Sequence, residues 1–382
     1  MKLAILNIVF WVSLFLISGT NSSCNPNNPI DSFKTTAYDF GLSKHFADIS
    51  PEFDNTPEEN PTTVEGAELG RHLFYDVRLS KNNTISCASC HKQENAFTDP
   101  NRFSVGFEGK TTPRNSMSIV NMRWQKLFFW DARVQTLEEQ VLIPIQDHIE
   151  MGMTLAEVVD KVEGIDIYPD MFEAAFGEKD VTSERISSAL AQFVRTIVSE
   201  NSKFDEVFGL PDAKIRQAFT AEEYLGYKLF TTHVDPDYFS GNNDPGTATR
   251  GANCGDCHLG QLMTNNLITN NGLDSVYSDN GYGDINSKEK WDATFKTPTL
   301  RNVELTAPYM HDGRFETLED VLEHYDKHLK DHKNLDFQIK EAGNHLPGVL
   351  HLTDEEKKAL VAFMKTLTDH QLINDPKYAN PF

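Results

Sequence analysis

Two strings of one form, Cys87-Ala-Ser-Cys90-His91 and Cys254-Gly-Asp-Cys257-His258, hold four of the five cysteines. Thiols at i and i+3 share one helical turn, so both can reach the two vinyl groups of a haem. The imidazole that follows can then ligate the iron from the same side. A C-x-x-C pair without that histidine would fit zinc or a redox disulfide equally well. Zinc asks for four thiolate or imidazole ligands in one compact module, whereas these pairs begin at 87 and 254. Thioredoxin chemistry asks for a βαβ surrounding, which the pattern lacks. The strings therefore indicate two covalent c-type haems. Cys87, Cys90, Cys254 and Cys257 are the tethers, and His91 and His258 are the proximal iron ligands.

The elements that carry these strings repeat. Leu69-Gly70-Arg71-His72-Leu73-Phe74 returns as Leu225-Gly226-Tyr227-Lys228-Leu229-Phe230 ahead of each Cys-His string. A Pro-containing Arg-Asn segment follows each, Thr112–Asn115 and Thr297–Asn302. Then Trp130–Glu139 matches His311–Asp320. Four matches in one order indicate two related domains in tandem. Capping boxes start helices at Thr62/Glu65, Thr220/Glu223 and Thr353/Glu356. A further helix spans Ser183–Glu200, with Ile186, Leu190, Phe193, Val194 and Ile197 on one face. The last runs over Asp354–Leu367, and Asp235–Gly251 and Thr264–Gly283 read as long loops. The fold class is mostly α: two tandem cytochrome c-like domains from an internal duplication, joined by long loops.

Composition narrows the partners. With 35 Lys and Arg against 57 Asp and Glu, the net charge of −22 argues against nucleic acid, whose phosphates need a basic face. The apolar run Leu3–Ile17 behind Lys2 reads as an export signal over 1–23 and is too short for a membrane span. Cys24 directly after it resembles the lipid-modified cysteine of a lipoprotein, although Asn21 stands where Leu is usual. The expected location is the periplasm or cell envelope, with membrane contact only through a lipid on Cys24. Residues 24–60, rich in Asn, Pro, Asp and Ser, read as a flexible arm. The first haem domain then covers 61–215 and the second 216–382.

Between residues 60 and 370 the chain resembles the bacterial di-haem cytochrome c peroxidases and their relative MauG. The motifs are Thr112-Pro-Arg-Asn115-Ser116, Phe129-Trp130-Asp131-x-Arg133, Gln140, Pro144 and Glu150-Met151. In the second half they are Leu300-Arg301-Asn302-Val303, Thr306-Ala-Pro308-Tyr309 and His311-x-Gly313. The resemblance implies peroxide reduction at the first haem, with electrons arriving through the second from a small cytochrome c or cupredoxin. It implies that Glu150 is the distal acid–base residue, Gln140 the amide that positions peroxide, and Trp130 the aromatic between the haems. It also implies a calcium ion between the domains, held by Asn115, Thr306 and Pro308, and it allows a homodimer. A carboxylate shielded by aromatic rings has its pKa pushed upward, as proton shuttling near neutrality needs.

The chain departs from the family pattern twice. Phe107 stands where many relatives carry a histidine that caps the first iron, and phenylalanine cannot ligate. At the second haem the distal ligand falls on Tyr325, with Met310 as the alternative and His324 adjacent. The offset of 181 that aligns Trp130 with His311 places Pro144 opposite Tyr325, so the first haem lacks a ligand there too. A phenolate stabilises ferric iron, and Tyr325 therefore favours MauG-like sharing of oxidising equivalents. Three functions compete: a peroxidase, a MauG-like oxidase that modifies a partner protein, and an electron-transfer cytochrome. An open first haem disfavours the third.

Overall fold

The computed structural model describes residues 33–233, 251–342 and 350–382. The expected export signal, Cys24 and nearly all of the loop Asp235–Gly251 lie outside them. The helices, in order, are α1 (Lys44–Ala47), α2 (Val64–Tyr75), α3 (Cys87–Cys90), α4 (Leu137–Gln146), α5 (Leu155–Glu163), α6 (Tyr168–Phe176) and α7 (Ser183–Thr196). They continue as α8 (Asp212–Ala218), α9 (Ala221–Thr231), α10 (Cys254–Cys257), α11 (Leu318–Glu323), α12 (Phe337–Ala342) and α13 (Asp354–Lys365). One short antiparallel pair, β1 (Ile268–Thr269) with β2 (Phe295–Lys296), sets Ile268 against Lys296. The chain is helix-rich, as expected, and β1 lies inside the expected loop Thr264–Gly283. Among the described residues no helix is long and apolar enough to cross a membrane.

Two hydrophobic cores lie along the chain, one built mainly from residues 69–197 and one from 204–367. Each forms around one helix pair, α2 on α7 and α9 on α13. Both crossings depend on the glycine of the repeated Leu-Gly segment. A Cβ on Gly70 would stand 2.0 Å from the Ala189 carbonyl oxygen, and one on Gly226 1.8 Å from that of Ala359. Without side chains there, the backbones approach, and Phe74 meets Phe193 while Phe230 meets Phe363.

Other local structure also occurs twice. Asn121 and Asn302 both adopt positive φ (57° and 60°), and each takes one backbone N–H from just beyond a long helix, Ser199 and Asp369 respectively. Asn121, not Asn115, is thus the positional counterpart of Asn302, which corrects the alignment of the two Arg-Asn segments. The side-chain amide satisfies backbone groups that a helix end leaves open, a role that a shared Arg-Asn spelling does not specify.

Several expected boundaries move for physical reasons. The cap of α2 is Thr63, one residue after Thr62, and its side chain accepts from Gly66 N. Glu65 is drawn away from a capping box because its carboxylate accepts from Thr36 N at 2.9 Å. Helix α7 ends at Thr196, because the Thr196 and Ile197 carbonyls are taken by Tyr378 Oη and Asn121 N. The expected domain boundary at 215/216 falls inside α8. Phe204, Val207 and Ile215 pack with the second core, so the change of core comes between Ile197 and Phe204.

Within the expected arm, residues 36–60 are packed against the rest of the chain. Phe46 meets Trp124 edge to face, Ser43 bonds Glu200, and the Asn55 amide donates to the Met122 and Gln125 carbonyls. The buried Arg195 binds both Asn55 and Glu138. The polar composition that reads as a tether here supplies side chains that satisfy buried backbone. At the other end, Leu372 and Tyr378 complete the first core, and Tyr75 Oη donates to the Tyr378 carbonyl.

Candidate active site

Each Cys-His string forms a single helical turn that ends on its histidine. At α3 the His91 N–H bonds the Cys87 carbonyl and its Nδ1 meets the Phe97 carbonyl at 3.0 Å. At α10 His258 repeats this, with Nδ1 to the Met263 carbonyl at 3.3 Å. Both accepting residues have positive φ, 59° at Phe97 and 52° at Met263, which turns the carbonyl back toward the ring. Burial holds both imidazoles below their ordinary pKa, to about 4 for His258. A neutral ring whose Nδ1–H faces a carbonyl presents a lone pair on Nε2, the atom that ligates iron. The four cysteines are free thiols, so the donor set fits two covalent haems. Among the described residues no group of three His, Cys, Asp or Glu is placed to hold a metal ion.

Around the first string, the structure sets Glu150 close enough to Cys87 and Cys90 to raise the pKa of both thiols. Helix α4 leads to it. Gln140 and Pro144 stand one turn apart on that helix, half-buried, and Pro144 offers no N–H to the Gln140 carbonyl. The Gln140 side chain makes no hydrogen bond among the described residues. After α4, Asp147 Oδ1 accepts from Ile149 N at 2.7 Å and shapes the turn that presents Glu150. Burial, and secondarily Asp147, pushes the Glu150 carboxyl up to about 7, while Arg133 opposes the rise. Arg133 lies 3.6 Å over the Phe129 ring and pairs with Asp131. Sequence reasoning missed it as a neighbour of Glu150.

Phe107 reaches the same turn. Its N–H donates to the Glu150 carbonyl at 3.0 Å, and its ring covers Gly152. The two histidines nearest in sequence are turned elsewhere. His148 is exposed, and His72 is held by the Glu68 carbonyl and the Phe382 ring.

The second string opens on a cavity of about 240 Å³, which Cys254, Cys257, His258, Met310 and Tyr325 help to line. Asn115, Trp130, Thr306 and Pro308 line it as well, so the expected calcium residues and the expected inter-haem tryptophan share one chamber with the second string. Tyr325 is half-buried, and its hydroxyl pKa is pushed up by burial despite a hydrogen bond with Asn271. It lies within electrostatic reach of Cys254 and Cys257. The Met310 sulfur accepts from Asn271 Nδ2 at 3.4 Å. One amide thus contacts both candidate ligands. His324 is directed away, its Nε2 on the Asn271 carbonyl at 3.1 Å.

Trp130 is fixed at both ends. Its indole N–H donates to the Asn115 carbonyl at 2.9 Å, and its own carbonyl accepts from Lys296 N at 2.8 Å. The Asn115 amide donates weakly to the Asn101 and Arg102 carbonyls at 3.3 Å, leaving Oδ1 without a donor among the described residues. An amide oxygen beside the cavity suits a hard cation such as calcium. Arg114 joins Asp131 to Asp279, 2.5 and 2.7 Å away, and this bridge between distant segments had no sequence signal.

The chain is similar to known proteins over most of its length. The family model for di-haem cytochrome c peroxidase matches residues 64–210. The methylamine utilization protein MauG of Methylorubrum extorquens is 33% identical over 320 residues, 83% of this chain and 82% of that protein. Cytochrome c551 peroxidase of Nitrosomonas europaea is 33% identical over 316 residues, 81% of this chain and 82% of that protein. The crystal structure of a MauG-like protein associated with microbial copper homeostasis superposes with a TM-score of 0.76 at 32% identity, covering 90% of this chain and 99% of that one. Agreement on this scale, over most of the length of both chains, reaches well beyond two haem-binding strings. The chain belongs to the di-haem cytochrome c peroxidase family, whose members are oxidoreductases with two haems as cofactors.

Proposed function

We propose that this protein reduces hydrogen peroxide to water, taking two electrons and two protons per peroxide, with a small cytochrome c or cupredoxin as donor. The observation that carries the reading is Glu150: a half-buried carboxyl, raised to about 7, beside the first Cys-His string. A haem tethered by Cys87 and Cys90 and ligated by His91 supplies an iron able to bind a peroxide oxygen and accept electrons singly. Glu150, titrating near neutrality, takes the proton from the inner peroxide oxygen and returns it to the outer one as the O–O bond breaks. Gln140 orients the peroxide through its free amide, and Arg133 limits how far the Glu150 pKa climbs. Trp130, clamped between Asn115 and Lys296, lies on the path from the second site to the first. Tyr325 would serve with His258 as an iron ligand for a haem held at the second site. Asn115, Thr306 and Pro308 hold a calcium ion that ties that path together.

The recurrence of glycine crossing, asparagine clamp and histidine turn supports an origin by internal duplication, with one cytochrome c-like domain per half. The apolar N-terminus supports export to the periplasm or cell envelope, with lipidation of Cys24.

A second reading, oxidation of a partner protein in the manner of MauG, is favoured by one feature: a tyrosine, Tyr325, lines the cavity beside the second string. One experiment separates the two. The purified ferric protein is given peroxide with a reduced small cytochrome, and separately with co-expressed soluble proteins of its host. Stoichiometric oxidation of the cytochrome supports the peroxidase. A mass change in a partner, with no turnover of cytochrome, supports the oxidase.

A further inference from the structure

Among the described residues, the walls of the cavity beside the second string contain no aspartate or glutamate, in a chain with 57 of them. They do contain two cations. Arg301 is already neutralised, donating twice to Asp205 at 2.6 Å and once to the Gln261 carbonyl. Lys296 is not. Its residue is 4% exposed, and among the described residues the only hydrogen bond of its side chain is a long one, 3.4 Å, from Nζ to Gln125 Oε1. Among the described residues no carboxylate lies within 4.0 Å of it. Leaving a buried ammonium with one neutral, distant acceptor is costly. The position is nonetheless built firmly: Lys296 pairs with Ile268 in the β1–β2 ladder, and its N–H bonds the Trp130 carbonyl.

A buried cation without a counter-ion, facing a cavity without acids, requires an anion from whatever fills the cavity. The complete second string, Cys254, Cys257 and His258, lines this chamber, and none of Cys87, Cys90 or His91 does. A c-type haem is tethered by its vinyl edge and carries two carboxylates on the opposite edge. We propose that Lys296, with Gln125 beside it, is the seat for a propionate carboxylate of the second haem. The inference rests on the two-haem reading of the chain but not on the peroxidase reading. Burial alone lowers the Lys296 pKa to about 8, which still leaves the ammonium charged near neutrality, and a carboxylate partner would offset the cost of burying that charge. Because the Lys296 backbone also holds Trp130, the same residue joins the propionate to the aromatic bridge.

A cation on a propionate withdraws negative charge from the haem and raises its reduction potential. The test is potentiometric titration of the holoprotein, followed by the absorbance of each haem. Lys296→Gln is expected to shift the second haem to a more negative potential with both haems still attached, and Lys296→Arg to restore it. Both potentials unmoved in a two-haem Lys296→Gln protein would overturn the proposal. Should that variant fail to fold, the unaltered holoprotein decides by nuclear magnetic resonance with isotope-labelled lysine. A slowly exchanging ammonium resonance that moves on reduction of the second haem supports the pairing, and a neutral amine refutes it. Loss of the second haem from the unaltered protein would instead remove the reading on which the proposal rests.

Discussion

Phe107 and Glu150 are joined through the backbone, the Phe107 N–H to the Glu150 carbonyl at 3.0 Å, while the Phe107 ring covers Gly152. The loop that carries Phe107 is here pinned to the turn that bears Glu150, the proposed acid–base residue. A ring without a ligating atom holds that loop, and Pro144 on α4 offers no ligand either.

The first iron is therefore expected to be five-coordinate, or to hold only water, in the fully ferric protein. Electron paramagnetic resonance should show one high-spin and one low-spin ferric haem, and peroxide should react without prior reduction. Two low-spin haems, with reactivity only after partial reduction, would refute this.

Replacing Glu150 with Gln should lower the rate of the peroxide reaction by roughly 10²–10⁴-fold, the usual contribution of an acid–base group, with both haem spectra retained. The pH profile follows from the raised carboxyl. Proton abstraction needs the ionised form, so the rate should climb as pH rises through about 7 and level off above it. In the Gln variant that limb should disappear. Stopped-flow mixing with peroxide between pH 5 and 9 measures both effects.

Haem content should divide by half. Cys87→Ala or Cys90→Ala should remove the first haem, and Cys254→Ala or Cys257→Ala the second, read from the pyridine haemochrome and the intact mass. Zinc in place of haem would overturn the assignment.

At the second site, Tyr325→Phe should abolish the low-spin signal of that haem, and Met310→Leu should leave it in place. The reverse pattern would make Met310 the ligand despite its bond to Asn271.

Gly226→Ala tests the helix crossing of the second half. The added methyl would stand 1.8 Å from the Ala359 oxygen. The helices must separate, at a cost of about 1–3 kcal/mol or more, seen as a lower thermal midpoint without loss of haem.

The parts of this molecule that were legible in sequence are those with a short-range physical rule. The Cys-His turns depend on spacing within five residues, and the caps at Thr220 and Thr353 on a side chain reaching its own helix. Glu65 obeyed the same spacing rule and lost to a more distant claim, the Thr36 N–H. The segment at 36–60 was misjudged because its polar residues bond to backbone far away in sequence, as Asn55 does to Met122. Lys296 gave no signal for a related reason: a lysine after a phenylalanine on a two-residue strand looks like a solvated residue. What sets it apart is the lack of acids around it, which only the assembled cavity reveals.

The packing of Tyr378 has a consequence for the order of assembly. Its ring and hydroxyl close the first core against Thr196 and Phe97, yet it follows Thr196 by 182 residues, beyond the whole second core. A nascent or translocating chain that already includes the whole first half still lacks this plug. The first core stays incomplete until residues beyond the second core have been made, so Tyr378 makes closure of the first half depend on the existence of the second.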